Sequence, residues 1–111
     1  MLDRAHRLTL PTQFRRVFRR GSKNAGSFVV VYRLSNDAGR PRFGFVTSKA
    51  VGNAPTRNKV RRQLRAIAFE NLGSCTGDVV MRAMPSAATA SWSDLKADVE
   101  KALSKFEDTS S

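Results

Sequence analysis

Along the chain the apolar positions switch between a spacing of three or four and a spacing of two. In "PTQFRRVFRRG", Phe14, Val17 and Phe18 fall at i, i+3 and i+4, with Arg15, Arg16, Arg19 and Arg20 around the remainder, which predicts a short amphipathic helix. Pro11 suits its first turn and Gly21 its C-terminal cap. "SFVVVYRL" alternates instead, with Phe28, Val30, Tyr32 and Leu34 on one face and Val29, Val31 and Arg33 on the other, and predicts a strand. Beyond the turn residues "SNDAGR", "PRFGFVTS" predicts a second strand with Phe43, Phe45 and Thr47 on one side, so the two are expected to pair as an antiparallel hairpin. Gly52 then permits a tight turn, Asn53 is the N-cap and Pro55 lies in the first turn of a helix running to about Leu72, stopped by Gly73. Val60, Leu64, Ile67 and Ala68 form its apolar arc, Asn58, Arg61, Arg62 and Arg65 lie opposite, and Phe69 falls outside the arc. "GDVVMRA" predicts a short apolar strand. "SWSDLKADVEKALSKF" predicts a last helix with a Ser91-to-Asp94 capping box and a stripe of Trp92, Leu95, Val99, Ala102, Leu103 and Phe106. This order of elements predicts an α+β sandwich, helices packed on a small mixed sheet.

Length changes the picture only by limiting it: 111 residues suit a single domain spanning the chain, with residues 1–8 expected as a mobile N-terminal arm and 107–111 as a disordered tail. No window approaches the roughly 18 consecutive apolar residues of a membrane span, and the first residues lack the apolar core of a secretory signal. Cys75 is the single cysteine, which fits a reducing compartment, and the cytoplasm is the expected location. Charge is more informative. The formal net charge is +11, and it is unevenly placed: residues 1–65 hold sixteen of the twenty Lys and Arg with only Asp3 and Asp37 as acids. Such polarity favours a polyanionic partner, nucleic acid or anionic lipid.

The chemistry follows by inventory. His6 is the only histidine, so a zinc cluster or a Cys/His nucleophile pair has no material. Asp3, Asp37, Glu70 and Asp78 are scattered and the other five acids sit in the last helix and tail, which does not make an acidic site for Mg²⁺. Any reaction this chain serves is expected to be carried by another molecule. "KAVGNAPTRNKVRRQLR" places Lys49, Arg57, Lys59, Arg61, Arg62 and Arg65 in seventeen residues with no acid. A merely solvated helix gains stability by mixing Glu among its cations at i,i+4. A helix of cations alone suits successive phosphates. Arg57, Asn58 and Lys59 add a planar fork, an amide and a point charge within one turn. Phe14, Phe18 and Tyr32, set among Arg15, Arg16, Arg19 and Arg20, are candidates to line a cleft where unpaired bases stack, while Phe28 and Phe45 read as core.

On these residues the chain resembles the bacterial ribonuclease P protein family, most specifically in "KAVGNAPTRNKVRRQLR" and next in "RLTLPTQFRRVFRRG". The resemblance implies a four-stranded sheet covered by about three helices, with a left-handed βαβ crossover against the usual hand. One strand beyond the three legible ones is then required, and the segment Thr47 to Val51 is where it is sought. The resemblance also implies a large catalytic RNA that hydrolyses precursor tRNA with Mg²⁺, the metal held mainly by that RNA, and a small protein that binds the RNA and the 5′ leader of the substrate. By matching position, Gly52, Asn53, Arg57, Asn58, Lys59, Arg61, Arg62 and Arg65 would face the RNA subunit. Phe14, Phe18 and Tyr32, with Arg15, Arg19, Lys49 and Val51, would take the leader. Lys59 stands where the family usually has an Arg, Pro55 where an apolar helix former is common, and "EDTSS" lacks a basic extension.

Three other readings compete. A ribosomal protein shares the charge without needing a single-strand cleft; a DNA-binding module would need base-reading side chains and usually a dimer; a nuclease would cleave RNA on its own.

Overall fold

Strand β2 (Val29–Leu34) is apolar on both faces, and each face has its own helical cover. The computed structural model describes residues 2–109, with side chains through residue 106. Toward one side point Val29 and Val31, joined in the larger core by Phe43, Val79 and Met81 of the sheet, by Val60, Leu64, Ile67 and Ala68 of helix α2 (Ala54–Glu70), and by Leu95, Val99, Ala102 and Phe106 of helix α3 (Trp92–Thr109). Toward the other point Val30 and Tyr32, which meet Val80 and helix α1 (Pro11–Arg20) through Val17. The apolar arcs of α1 and α2 are the ones their spacing predicts, and α3 buries Leu95, Val99, Ala102 and Phe106 as expected, but Trp92, expected in the same stripe, is the first residue of the helix and stays 37% exposed outside the core; the α+β architecture is the expected one.

The sheet runs β1 (Ser22–Ala25), β2, β4 (Asp78–Ala83), β3 (Arg42–Val46). β2 pairs antiparallel with β1 and β4, and β4 pairs parallel with β3. This corrects the expected hairpin: β2 and β3 are not partners, because β4 inserts between them and takes both edges. The fourth strand is also not at 47–51, where Lys49–Val51 form a single 3-10 turn. It is β1, a four-residue polar edge strand whose "SKNA" carries no alternation to detect. α2 forms the crossover from β3 to its parallel neighbour β4.

The N-terminal segment, expected as a mobile arm, is docked instead. Leu2 enters the larger core and Leu8 the smaller one. The Leu8 amide donates to the Phe43 carbonyl at 2.8 Å, and Arg7 bridges Phe43 beside the β3 edge. At the other end, residues 107–109 of the expected tail continue α3, while 110 and 111 lie outside the described residues.

Two carboxylates tie neighbouring elements together. Asp98 of α3 accepts the amides of Ser27, Phe28 and Val29 at 2.9, 3.0 and 3.1 Å, anchoring the entry to β2. Asp78, 3% exposed, accepts Arg42 Nε at 2.8 Å, Arg42 Nη2 at 3.0 Å and Asn36 Nδ2 at 2.7 Å. The carboxylate raises the Arg42 pKa further above its ordinary value. This fork locks the starts of β3 and β4 side by side.

Candidate nucleic-acid interface

The turn before α2 is built by its sequence. Gly52 sits at φ 151° and ψ −165°, a conformation only glycine takes without strain, and its open side faces Thr56. Asn53 then caps the helix, its Oδ1 accepting the Thr56 amide at 3.0 Å, and Pro55 costs no hydrogen bond in the first turn. With Val60, Leu64, Ile67 and Ala68 fixed against the sheet, Asn58, Arg61, Arg62 and Arg65 necessarily face outward along the β3 side.

That outer face is pre-shaped. Arg61 donates from Nη1 to Asn58 Oδ1 at 3.0 Å and from Nη2 to Thr47 Oγ1 at 2.7 Å, so neutral partners orient its guanidinium and leave its charge uncancelled. The Arg65 guanidinium stands over the Phe45 ring at 6.0 Å. Arg57 and Arg65 each keep a buried Nε with no hydrogen-bond partner. Among the described residues the ion pairs are Asp3 with His6, Asp78 with Arg42 and Glu70 with Lys96, none of which neutralises Arg57, Lys59, Arg61, Arg62 or Arg65. The ridge therefore presents concentrated positive potential, with Arg61 and Arg65 held in place by these contacts.

The opposite face of the sheet carries the rings. Lys23, Tyr32, Val80 and Gly44 form one row across the four strands. α1 follows that row: Phe14 lies on Gly44, where a Cβ would collide with its ring, and Phe18 meets Tyr32 edge-on. The first helix thus crosses from β3 to β2 over the body of the sheet. Phe18 is 37% exposed, Phe14 half-buried and Tyr32 only 8% exposed. Arg15 and Arg19 project from the exposed flank of α1.

Two placements differ from the sequence reading. Val51, matched to the edge of the leader cleft, is 4% exposed and belongs to the larger core on the other face, so it offers no surface to a ligand; Lys49, two residues before it, is exposed. Arg82 was not singled out, yet its exposed guanidinium stands over the Tyr32 ring at 6.0 Å, in the row next to Tyr32 and on its face. The signal was available in the alternation of "VVMRA", which puts Arg82 on the same side as Val80.

The two surfaces meet at β3. Gly44 supports Phe14 on one face and its neighbour Phe45 lies under Arg65 on the other, so the edge strand is the seam between rings and ridge.

Comparison with known proteins agrees with this geometry. The family model "Ribonuclease P" matches residues 2–107. The chain is 46% identical to the "Ribonuclease P protein component" of Corynebacterium diphtheriae, covering 96% of this chain and 97% of that protein. It is 44% identical to that of a Nocardioides species, covering 93% and 92%. Among solved structures it superposes on the Staphylococcus aureus RNase P protein with a TM-score of 0.85 at 25% identity, over 92% of this chain and 95% of that one. The Thermotoga maritima RNase P protein matches with a TM-score of 0.81 at 25% identity, over 89% and 96%.

Proposed function

The chain belongs to the ribonuclease P protein family and is the protein component of that ribonucleoprotein endoribonuclease, and from this premise we propose how its two surfaces divide the work. The ridge of α2 binds the catalytic RNA subunit. The ring-bearing face around α1 binds the 5′ leader of precursor tRNA. The observation that carries the reading is the ridge: Arg57, Lys59, Arg61, Arg62 and Arg65 on one capped helix, with Arg61 oriented by the neutral Asn58 and Thr47, Arg65 set over Phe45, and none of the five in an ion pair with an acid among the described residues. Each phosphate contact there releases counterions and fixes the position of the RNA without reading its bases.

On the other face, Phe18 and the edge of Tyr32 give an unpaired base a ring to stack on, and Arg82, Arg15 and Arg19 give its phosphates cations. Stacking of this kind is tolerant of sequence, which suits a leader that differs from one precursor to the next.

Hydrolysis of the phosphodiester is assigned to the RNA, with Mg²⁺ held there. The donor set of the protein supports this: among the described residues, Asp78 and Asp98 are committed to Arg42, Asn36 and backbone amides, Glu70 is paired with Lys96, and no group of three ligating side chains converges. No helix of the described residues is long and apolar enough to cross a membrane, and the cytoplasm, where precursor tRNA is made, is the proposed location.

The test is affinity for precursor tRNA with and without its leader, measured with the cognate RNA subunit bound. A loss of affinity on removing the leader is the expected result; equal affinities would count against the leader role. Preference for duplex DNA over structured RNA at fixed salt would defeat the reading of the ridge, and cleavage by RNA-free protein would defeat the assignment of the chemistry.

A further inference from the structure

Phe69 belongs to the outer stripe of α2 rather than to its buried arc. Asn58, Arg62, Arg65 and Phe69 follow one another at intervals of four, three and four residues, so they stand in line on one strip of helix surface. The ring is 45% exposed, more than any other aromatic side chain among the exposed large hydrophobics of the described residues. Core packing does not account for it, because Val60, Leu64, Ile67 and Ala68 already fill the inner face.

Around the ring is a groove of about 230 Å³ lined by Arg62, Arg65, Ala66, Phe69 and Glu70. Its one acid, Glu70, is held by Lys96 Nζ at 2.8 Å, so the groove's charge is set by the two arginines. An apolar floor bordered by two guanidinium groups has the chemistry of a nucleotide site: the ring takes the face of a base and the cations take its phosphates. A second copy of this chain is disfavoured as occupant, since it would bring a +11 molecule against a cationic strip of its twin.

We propose that Phe69 is a stacking platform for an unpaired base of the RNA subunit, extending the contact of the ridge one helical turn beyond Arg65. The proposal rests on the reading of α2 as the surface that binds the RNA subunit. It adds a contact that the cation motif does not contain, and of a different kind: stacking is insensitive to salt, whereas phosphate contacts are not.

The experiment measures binding of the cognate RNA subunit by the full chain, as wild type, Phe69→Ala and Phe69→Trp, over a range of salt concentrations, with melting temperatures of the free proteins alongside. Phe69→Ala is expected to lose about 10-fold in affinity at every salt concentration with the slope against salt unchanged. Phe69→Trp, which keeps a ring, is expected to bind like wild type, and both variants to melt with the wild type. Wild-type affinity in Phe69→Ala would overturn the proposal, as would a changed slope, an equal loss in Phe69→Trp, or a drop in melting temperature. A self-association that Phe69→Ala abolishes while RNA affinity stays intact would assign the groove to a second copy instead. Failure of the wild-type chain to bind the RNA at all would strike the ridge reading itself, a distinguishable result.

Discussion

Phe18 and Tyr32 meet edge to face, ring centroids 4.8 Å apart and planes at 89°, and so join α1 to the middle of the sheet. The contact holds Tyr32 in place from the helix side while Arg82 approaches its ring from the sheet at 6.0 Å. Phe18, the more exposed partner, is then the ring that a base can reach first. Phe18→Ala is expected to weaken binding of leader-bearing precursor tRNA about 10-fold, the worth of one stacked base. Binding of a leaderless substrate should not change, and equilibrium titration of the two substrates against the assembled holoenzyme checks both halves.

Gly44 is glycine because Phe14 occupies the space its side chain would need. Gly44→Ala should displace the ring and lift the N-terminal half of α1, at a cost of about 1–3 kcal/mol for overpacking. Urea unfolding measures the cost. Because the proposed leader surface lies on α1 and not on α2, RNA-subunit affinity should be retained while leader affinity falls.

Asp78 is the acid on which the β3–β4 pairing depends. Asp78→Ala leaves the Arg42 fork and the Asn36 amide without their acceptor. The expected loss is about 3 kcal/mol, the low end for a broken buried pair, because the Arg42 side chain keeps 25% exposure to water. A shifted urea midpoint at unchanged slope would confirm a stability effect alone.

What the sequence revealed and what it hid divide along physical lines. α1, α2 and α3 were legible because each buries a stripe at helical spacing, and the caps at Asn53 and Ser91 mark their starts; Asn53 Oδ1 and Ser91 Oγ do accept the Thr56 and Asp94 amides. β2 and β4 were legible because they are apolar runs. β1 was not, since an exposed polar strand of four residues is defined by its partner and not by its own pattern. The pairing of β3 was misjudged because a short turn favours the local hairpin, whereas burial on both faces rewards placing β4 centrally. Leu2 and Leu8 went unnoticed as anchors: two isolated leucines carry no period. On α2, the spacing was enough to place Asn58, Arg61, Arg62 and Arg65 away from the buried arc, but Val51 could not be told from the exposed Lys49 two residues before it without knowing which way the 3-10 turn faces. The pairing of Arg82 with Tyr32 depends on strand register, which only the folded chain supplies.

On the proposed reading, the α2 ridge holds the RNA subunit through its phosphates. The most direct test compares wild type with the Arg61→Ala, Arg62→Ala, Arg65→Ala triple variant, both shown to be folded, as the salt dependence of RNA-subunit affinity. The slope of log K against log salt should become shallower by about 2–3 units, with affinity falling at every salt concentration. An unchanged slope and an unchanged affinity would mean that the ridge does not touch the RNA.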